Sequence, residues 1–275
     1  MSIITLTTDY GLKDHFVGAL KGKILSQHEQ AVIVDVSHNI DHFNTSEASY
    51  IISNSFNSFP KGTVHIIGVD IELTLNNQHI AMEWNDHFFI AADNGILSML
   101  IEKIKPQKIV AINIHDRLLP EATDMDVFVT VAVHIAKGGS LSVIGKEIKT
   151  IKDVTELQPV IASDLNSIKG YVVYIDHFGN AVTNISKKLF LDTAKGRPYE
   201  VSYKSKKVKS IFAKYSDIET TDKQATSITG RHLAIFNEAG FLEIGIYKSH
   251  PKKTGSAASL LGLTYRDFVM INFNS

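Results

Sequence analysis

The chain has 275 residues, enough for one large domain or two smaller ones built around a real core. Its 44% hydrophobic and 21% charged residues and formal net charge of −1 mark a globular protein with no field to draw in nucleic acid or an acidic membrane surface. The absence of cysteine excludes disulfides, thiolate nucleophiles and sulfur-ligated zinc. No apolar run approaches a membrane span, and the first strand begins without the basic-then-apolar run of a signal peptide, so a cytoplasmic location is expected.

The β-branched run Ile3-Ile4-Thr5-Leu6-Thr7 reads as a buried first strand that stops at Asp9, with Gly11 freeing the backbone for a sharp exit. A helix follows with Phe16, Val17, Ala19, Leu20 and Ile24 on its apolar side. Residues 31–36 form a second buried strand ending near Asp35. A polar stretch then leads to Thr45 or Ser46 as the cap of a helix carrying Ala48, Ile51, Ile52 and Phe56. Residues 63–70 are a third buried strand, ending in Asp70. Residues 79–84 and 87–92 flank Asn85-Asp86 as a hairpin, Asp93-Asn94-Gly95 turns into a helix at 96–100, and 108–112 is another strand. An apolar helix over 127–136 is closed by Lys137-Gly138-Gly139.

This alternation predicts an α/β amino-terminal domain with a mixed central sheet over 1–157. After a connector at 158–167 the pattern turns strand-like (170–175, 181–185, 200–203, 233–236, 242–246, 268–271), which predicts a smaller all-β domain over 168–275. Lys204, Lys206, Lys207 and Lys209 read as a charged edge strand that resists aggregation.

Three strand-end carboxylates, Asp9, Asp35 and Asp70, fall where open α/β sheets hold ligands, outside the carboxyl ends of the strands. Asp9 either accepts from a ligand's hydroxyl pair or merely caps the helix or an Asx-turn. Asp176-His177-Phe178-Gly179-Asn180 crowds an acid, an aromatic and an amide into one turn, which suits a polar aromatic ligand or a simple hairpin. His38, Asp41 and His42 cluster, but they lie in a loop without the helical Glu of a zinc motif, so no metal is expected. There is no Gly-x-Ser-x-Gly elbow, phosphate-cradling P-loop or dinucleotide fingerprint.

Taken in order, Thr7-Thr8-Asp9-Tyr10-Gly11, Asp35-Val36-Ser37-His38, Val69-Asp70, Asp93-Asn94-Gly95-Ile96-Leu97 and Asp176-His177-Phe178-Gly179-Asn180, with 237–244 and Gly255-Ser256-Ala257-Ala258, resemble the S-adenosylmethionine hydroxide adenosyltransferases over nearly the whole chain. The resemblance implies hydrolysis of S-adenosylmethionine to adenosine and methionine, kinship with the fluorinating and chlorinating adenosyltransferases, no cofactor, and a β-barrel-like second domain. It also implies a homotrimer whose active sites lie between one subunit's first domain and a neighbour's second. By position, Asp9 would hold the ribose hydroxyls, Phe43 would wall the ribose or adenine, and Asp176 would meet the methionine ammonium. Phe178 and Asn180 would meet the adenine, and Ser256 and Ala257 would offer backbone groups to its edge.

The family's water-activating aspartate matches Asp70, but Asn77 stands where its arginine is and Thr123 where its histidine is. Glu238 replaces a serine near the methionine carboxylate, which a carboxylate side chain would repel. Hydrolysis with Glu72 or Asp124 assisting Asp70 is the leading expectation, since clustered carboxylates raise one another's pKa toward general-base duty. The alternatives are a non-catalytic binder of S-adenosylmethionine or adenosine, and adenosyl transfer to another nucleophile.

Overall fold

In the computed structural model residues 2–101, 104–154, 157–220 and 228–274 are described, and the chain divides into two compact units, 1–156 and 157–275. The first is the expected α/β unit. Its strands are β1 (Ile3–Thr8), β2 (Val32–Ser37), β3 (Val64–Gly68), β4 (His79–Trp84), β5 (His87–Ala92), β6 (Lys108–Ile112) and β7 (Gly145–Glu147). Its helices are α1 (Phe16–Gln27), α2 (Thr45–Ser55), α3 (Ile96–Ile101), α4 (Asp124–Ala136) and α5 (Leu141–Ile144). The seven strands lie in the order β2-β1-β3-β5-β4-β6-β7, with β2, β1, β3 and β5 parallel and the rest antiparallel. The hairpin joining β4 to β5 turns at Asn85 and Asp86, both at positive φ, as a two-residue turn matched to strand twist requires.

Because β2 and β3 flank β1 on opposite sides, the chain reverses direction across the sheet there, and a crevice opens outside the carboxyl ends of β1 and β3. Thr8 pairs with Gly68 at those ends, so Asp9 and Asp70 leave neighbouring strands at one rim. Asp35 does not join them. It sits within β2, bonded to Lys21 Nζ at 2.6 Å and 3.0 Å from His38 Nε2.

Alternate residues of the buried strands feed two cores. Ile4, Leu6, Val64 and Ile66 pack with α1 and α4, and Ile67 and Val69 pack with α2 and α3. On α1 only Val17, Leu20 and Ile24 of the expected face are buried; Phe16 and Ala19 are exposed. The α2 cap is Asn44 rather than Thr45 or Ser46, its side chain accepting the Glu47 N–H at 3.1 Å. Helix α4 begins at Asp124 rather than 127, because Thr123 and Asp126 form a reciprocal capping box one turn ahead of the apolar run. A Cβ on Gly68 would fall 2.9 Å from Met125, so glycine at the end of β3 lets the start of α4 close over the rim.

The second unit is the expected all-β domain: β8 (Val160–Ile161), β9 (Ser167–Ile175), β10 (Ala181–Ser186), β11 (Tyr199–Tyr203), β12 (Lys206–Val208), β13 (Ile211–Phe212), β14 (His232–Phe236), β15 (Phe241–Ile246) and β16 (Phe268–Phe273), with α6 (Lys187–Ala194) and α7 (Ala257–Leu261). The order is β12-β11-β16-β9-β10-β15-β14-β13, with β8 paired to β9. Strand β12 at one end comes back against β14 near the other, so the sheet nearly closes into a barrel around Ile168, Val201, Leu242, Ile244 and Ile271. The lysine-rich β12 is an edge strand, with Lys207 paired to Glu200 at 2.7 Å. Among the described residues no helix is long and apolar enough to cross a membrane.

Candidate functional site

Asp9 does not cap α1, whose N-cap is His15 with no side-chain bond. Its Oδ2 instead accepts the backbone N–H of Phe43 at 3.1 Å, which ties the end of β1 to the loop before α2. Two bonds reinforce that junction: Gly11 N–H donates to the His38 carbonyl at 2.6 Å, and Thr8 Oγ1 meets His38 Nδ1 at 2.7 Å. His38 is thus a buried structural residue. Phe43 has φ 61° and is 72% exposed, so an apolar ring stands in solvent beside a half-buried carboxylate.

Asp70 also has a left-handed backbone, φ 49°, in a non-glycine residue beside the same crevice. Asn94 Nδ2 donates to the Val69 and Asp70 carbonyls at 3.0 and 3.1 Å, and Asn77 Nδ2 to those of Asp70 and Glu72 at 3.0 Å each. Thr74 and Asn77 exchange backbone bonds of 3.2 Å that close the 74–77 turn. Half-buried, the Asp70 carboxylate itself accepts no hydrogen bond from the described residues, and Glu72 is exposed. Asn77 therefore supplies no cation here; its amide is spent on the loop.

Asp124, first residue of α4, accepts the Leu73 N–H at 3.2 Å and lies 3.8 Å from the buried His79 Nε2. Thr123 is exposed and committed to capping α4. The Tyr10 hydroxyl is pushed up to about 12 by burial and then by the negative charges of Asp9 and Asp124. Asp9 and Asp124 thus act on one phenol. A cavity of about 430 Å³ opens beside Asp124, with Leu73, His115, Leu119 and Thr123 also in its wall; Asp9 and Tyr10 do not line it.

In the second unit the 176–180 turn is tied by its own acid: Asp176 Oδ1 accepts the Asn180 N–H at 2.8 Å and Oδ2 the Asn180 amide at 2.9 Å. Gly179, at φ 74°, touches Ser256, and a Cβ there would fall 2.4 Å from the Ser256 side chain; the Ala258 N–H donates to the Gly179 carbonyl at 3.0 Å. The turn and the start of α7 are therefore one construction, which brings Asp176, Phe178, Asn180, Ser256 and Ala257 together. The Ser256 N–H is used by Ser259 Oγ at 2.8 Å and its carbonyl by the Leu260 N–H at 2.8 Å. Ala257, first in the helix, has no intrahelical acceptor for its N–H. Phe178 is 66% exposed while Asn180 is buried.

Behind this turn lies a network that sequence reasoning missed. Buried Glu243 of β15 accepts from the Tyr215 hydroxyl and, at 3.1 Å, from the Asn237 amide. Burial raises the Glu243 carboxyl above the usual range, and burial followed by the Glu243 bond raises the Tyr215 phenol. Glu238, at the β14–β15 turn, is exposed. His79, His115 and Asn94 were missed as well. The available signal was a lone polar residue in an apolar strand, Glu243 in FLEIGI, since such a group is buried only with partners; His79 shares its strand HIAMEW with Glu83 and gave no such signal.

Residues 4–145 match the family model described as SAM hydroxide adenosyltransferase N-terminal domain, and residues 170–270 the one described as its C-terminal domain. An (R)-S-adenosyl-L-methionine hydrolase of Methanocaldococcus jannaschii is 28% identical over 98% of this chain and 96% of that protein. A fluorinase of Nocardia brasiliensis is 24% identical over 67% of this chain and 71% of its own. A crystal structure of an uncharacterized conserved protein from Thermotoga maritima superposes with a TM-score of 0.82 at 27% identity, covering 99% of this chain and 100% of that one.

Proposed function

The chain belongs to the SAM hydroxide adenosyltransferase family, and from that premise we propose that it hydrolyses S-adenosyl-L-methionine to adenosine and L-methionine. Water oxygen bonds to the ribose 5′ carbon as the carbon–sulfur bond breaks. The bond's electron pair returns to sulfur, which leaves as a neutral thioether, and the water's proton passes to a base. Such a leaving group needs neither acid nor metal, so the reading includes no cofactor; the protein's work is positioning, desolvation and proton acceptance.

The observation that carries the reading is Asp70: a half-buried carboxylate with no hydrogen-bond partner among the described residues, on a strained backbone at the crevice between β1 and β3. Asp70 takes the proton, and Glu72 and Asp124 add negative potential that favours water over a halide. Asp9 holds the ribose hydroxyls with its second oxygen, beside the exposed ring of Phe43. Asp176 meets the methionine ammonium and Phe178 and Asn180 the adenine, with backbone groups at Ser256 and Ala257 along its edge; Ala257 has its N–H to give. The reading also includes a homotrimer whose active sites form between subunits, for which light scattering is the direct check.

The test is incubation of purified protein with S-adenosyl-L-methionine, with and without chloride, followed by chromatography for nucleosides and methionine. Adenosine and methionine in equal amounts are expected, with no chlorinated nucleoside. Binding without turnover would instead identify a non-catalytic nucleoside binder.

A further inference from the structure

The four carbonyls of residues 69–72 each accept from a side chain. Asn94 takes those of Val69 and Asp70, Asn77 those of Asp70 and Glu72, and His79 Nε2 that of Ile71 at 2.8 Å. A carbonyl only accepts, so His79 carries its proton on Nε2. Burial holds this imidazole below the usual histidine range and therefore neutral, which leaves Nδ1 to accept from His115 Nε2 at 3.0 Å. The Phe128 ring meets it edge-on at 4.8 Å between centroids. His79 is 0% exposed, and beside the Ile71 carbonyl its Nε2 lies 3.8 Å from Asp124 Oδ1, whose partner oxygen holds the Leu73 N–H. The ring thus stands at the joint between the Asp70 loop and the first turn of α4.

We infer that His79 is the positioning residue of this site: its bond to the Ile71 carbonyl keeps Asp70 in its left-handed conformation and so aims the Asp70 carboxylate, while His115 fixes the tautomer that makes the bond. Neither histidine touches substrate. The catalytic consequence rests on the hydrolase reading above; the clamp itself does not. A glutamine at 79 carries its amide nitrogen the same number of bonds from Cα as Nε2 and is the conservative replacement, whereas leucine fills the space without a donor.

Three measurements test this on wild type, His79→Gln and His79→Leu: amide hydrogen exchange of Leu73, Thr74 and Asn77, steady-state hydrolysis of S-adenosyl-L-methionine, and the wild-type His79 tautomer by ¹⁵N NMR. Leucine is expected to speed exchange about tenfold, as loss of one net hydrogen bond does. It is also expected to lower kcat by up to about 100-fold with KM little changed, the cost of a displaced catalytic group. Glutamine restores both. Unchanged exchange in the leucine variant, faster exchange with an unchanged kcat, or a wild-type ring protonated on Nδ1 would each overturn the assignment. If the leucine variant does not fold, the tautomer and the glutamine variant's exchange decide. A wild type that releases no adenosine overturns the hydrolase reading alone, since exchange and tautomer are read without turnover.

Discussion

The Phe43 backbone N–H donates to Asp9 Oδ2 at 3.1 Å, joining two loops that lie 34 residues apart in the chain. One carboxylate oxygen is thereby held at a fixed place, and the other accepts nothing from the described residues. Asp9→Ala removes both the tether and the ribose acceptor. Nucleoside binding is expected to weaken by roughly 10- to 100-fold, the range of a hydrogen bond to a charged group. Isothermal titration with adenosine reads it, and an unchanged affinity would remove Asp9 from the site.

Asp70→Asn separates chemistry from stability. Asparagine tolerates the left-handed region, and the carboxylate it replaces makes no hydrogen bond to the described residues, so the unfolding free energy should stay within about 0.5 kcal/mol of wild type. Hydrolysis should fall by about 100- to 10,000-fold, the usual worth of a general base. Full activity in this variant would reassign the base; a large loss of stability would mean that the carboxylate has a structural partner.

Thr123→Ala probes the residue that stands where the family pattern has a histidine. Thr123 caps α4 and holds Asp126 in a reciprocal box. The expected cost is about 1 kcal/mol of stability, read by urea denaturation. A mutant as stable as wild type would show that the box carries no weight.

The two units of the fold were legible because the strands are short apolar runs and the helices carry apolar faces, whereas the helix starts were not: α1 has no side-chain cap, and the caps of α2 and α4 lie ahead of the residues the apolar pattern marks. Thr123-x-x-Asp126 is such a cap, hidden further by comparison with a catalytic motif. The site was legible as positions rather than as conformations. Asp9 as a tether depends on a residue beyond β2, and the left-handed Asp70 depends on donors from Asn77, His79 and Asn94, none of which is adjacent to it. Glu243 was hidden for the same reason, since its partners Tyr215 and Asn237 come from other parts of the second unit.

Glu243 gives a stability term of one sign. Burial raises its folded pKa above the unfolded value near 4.5, so the folded state holds the extra proton, and stability falls as pH rises from there through the folded pKa. Glu243→Gln cannot ionise, and the difference between wild-type and variant unfolding free energies should slope downward with pH across that window. Denaturant titrations from pH 4 to 8 measure it. A flat difference would show that Glu243 titrates as an exposed carboxylate does.

His65 gives the opposite sign. It is fully buried between Thr5 Oγ1 at 2.7 Å and His87 Nδ1 at 3.1 Å, and burial, followed by the neighbouring His87, lowers its pKa to about 3. Below pH 6.5 the unfolded chain takes up a proton that folded His65 refuses, so its contribution is fully present at neutral pH and drains away as pH falls toward 3. The slope approaches at most about 1.4 kcal/mol per pH unit, one proton's worth. His79, His87 and His232 are also lowered by burial and add to the loss. His65→Gln keeps a polar partner for Thr5 without a titrating ring, and its stability should fall less steeply between pH 6.5 and 4 than that of wild type. Equal slopes would mean that His65 is protonated in the fold.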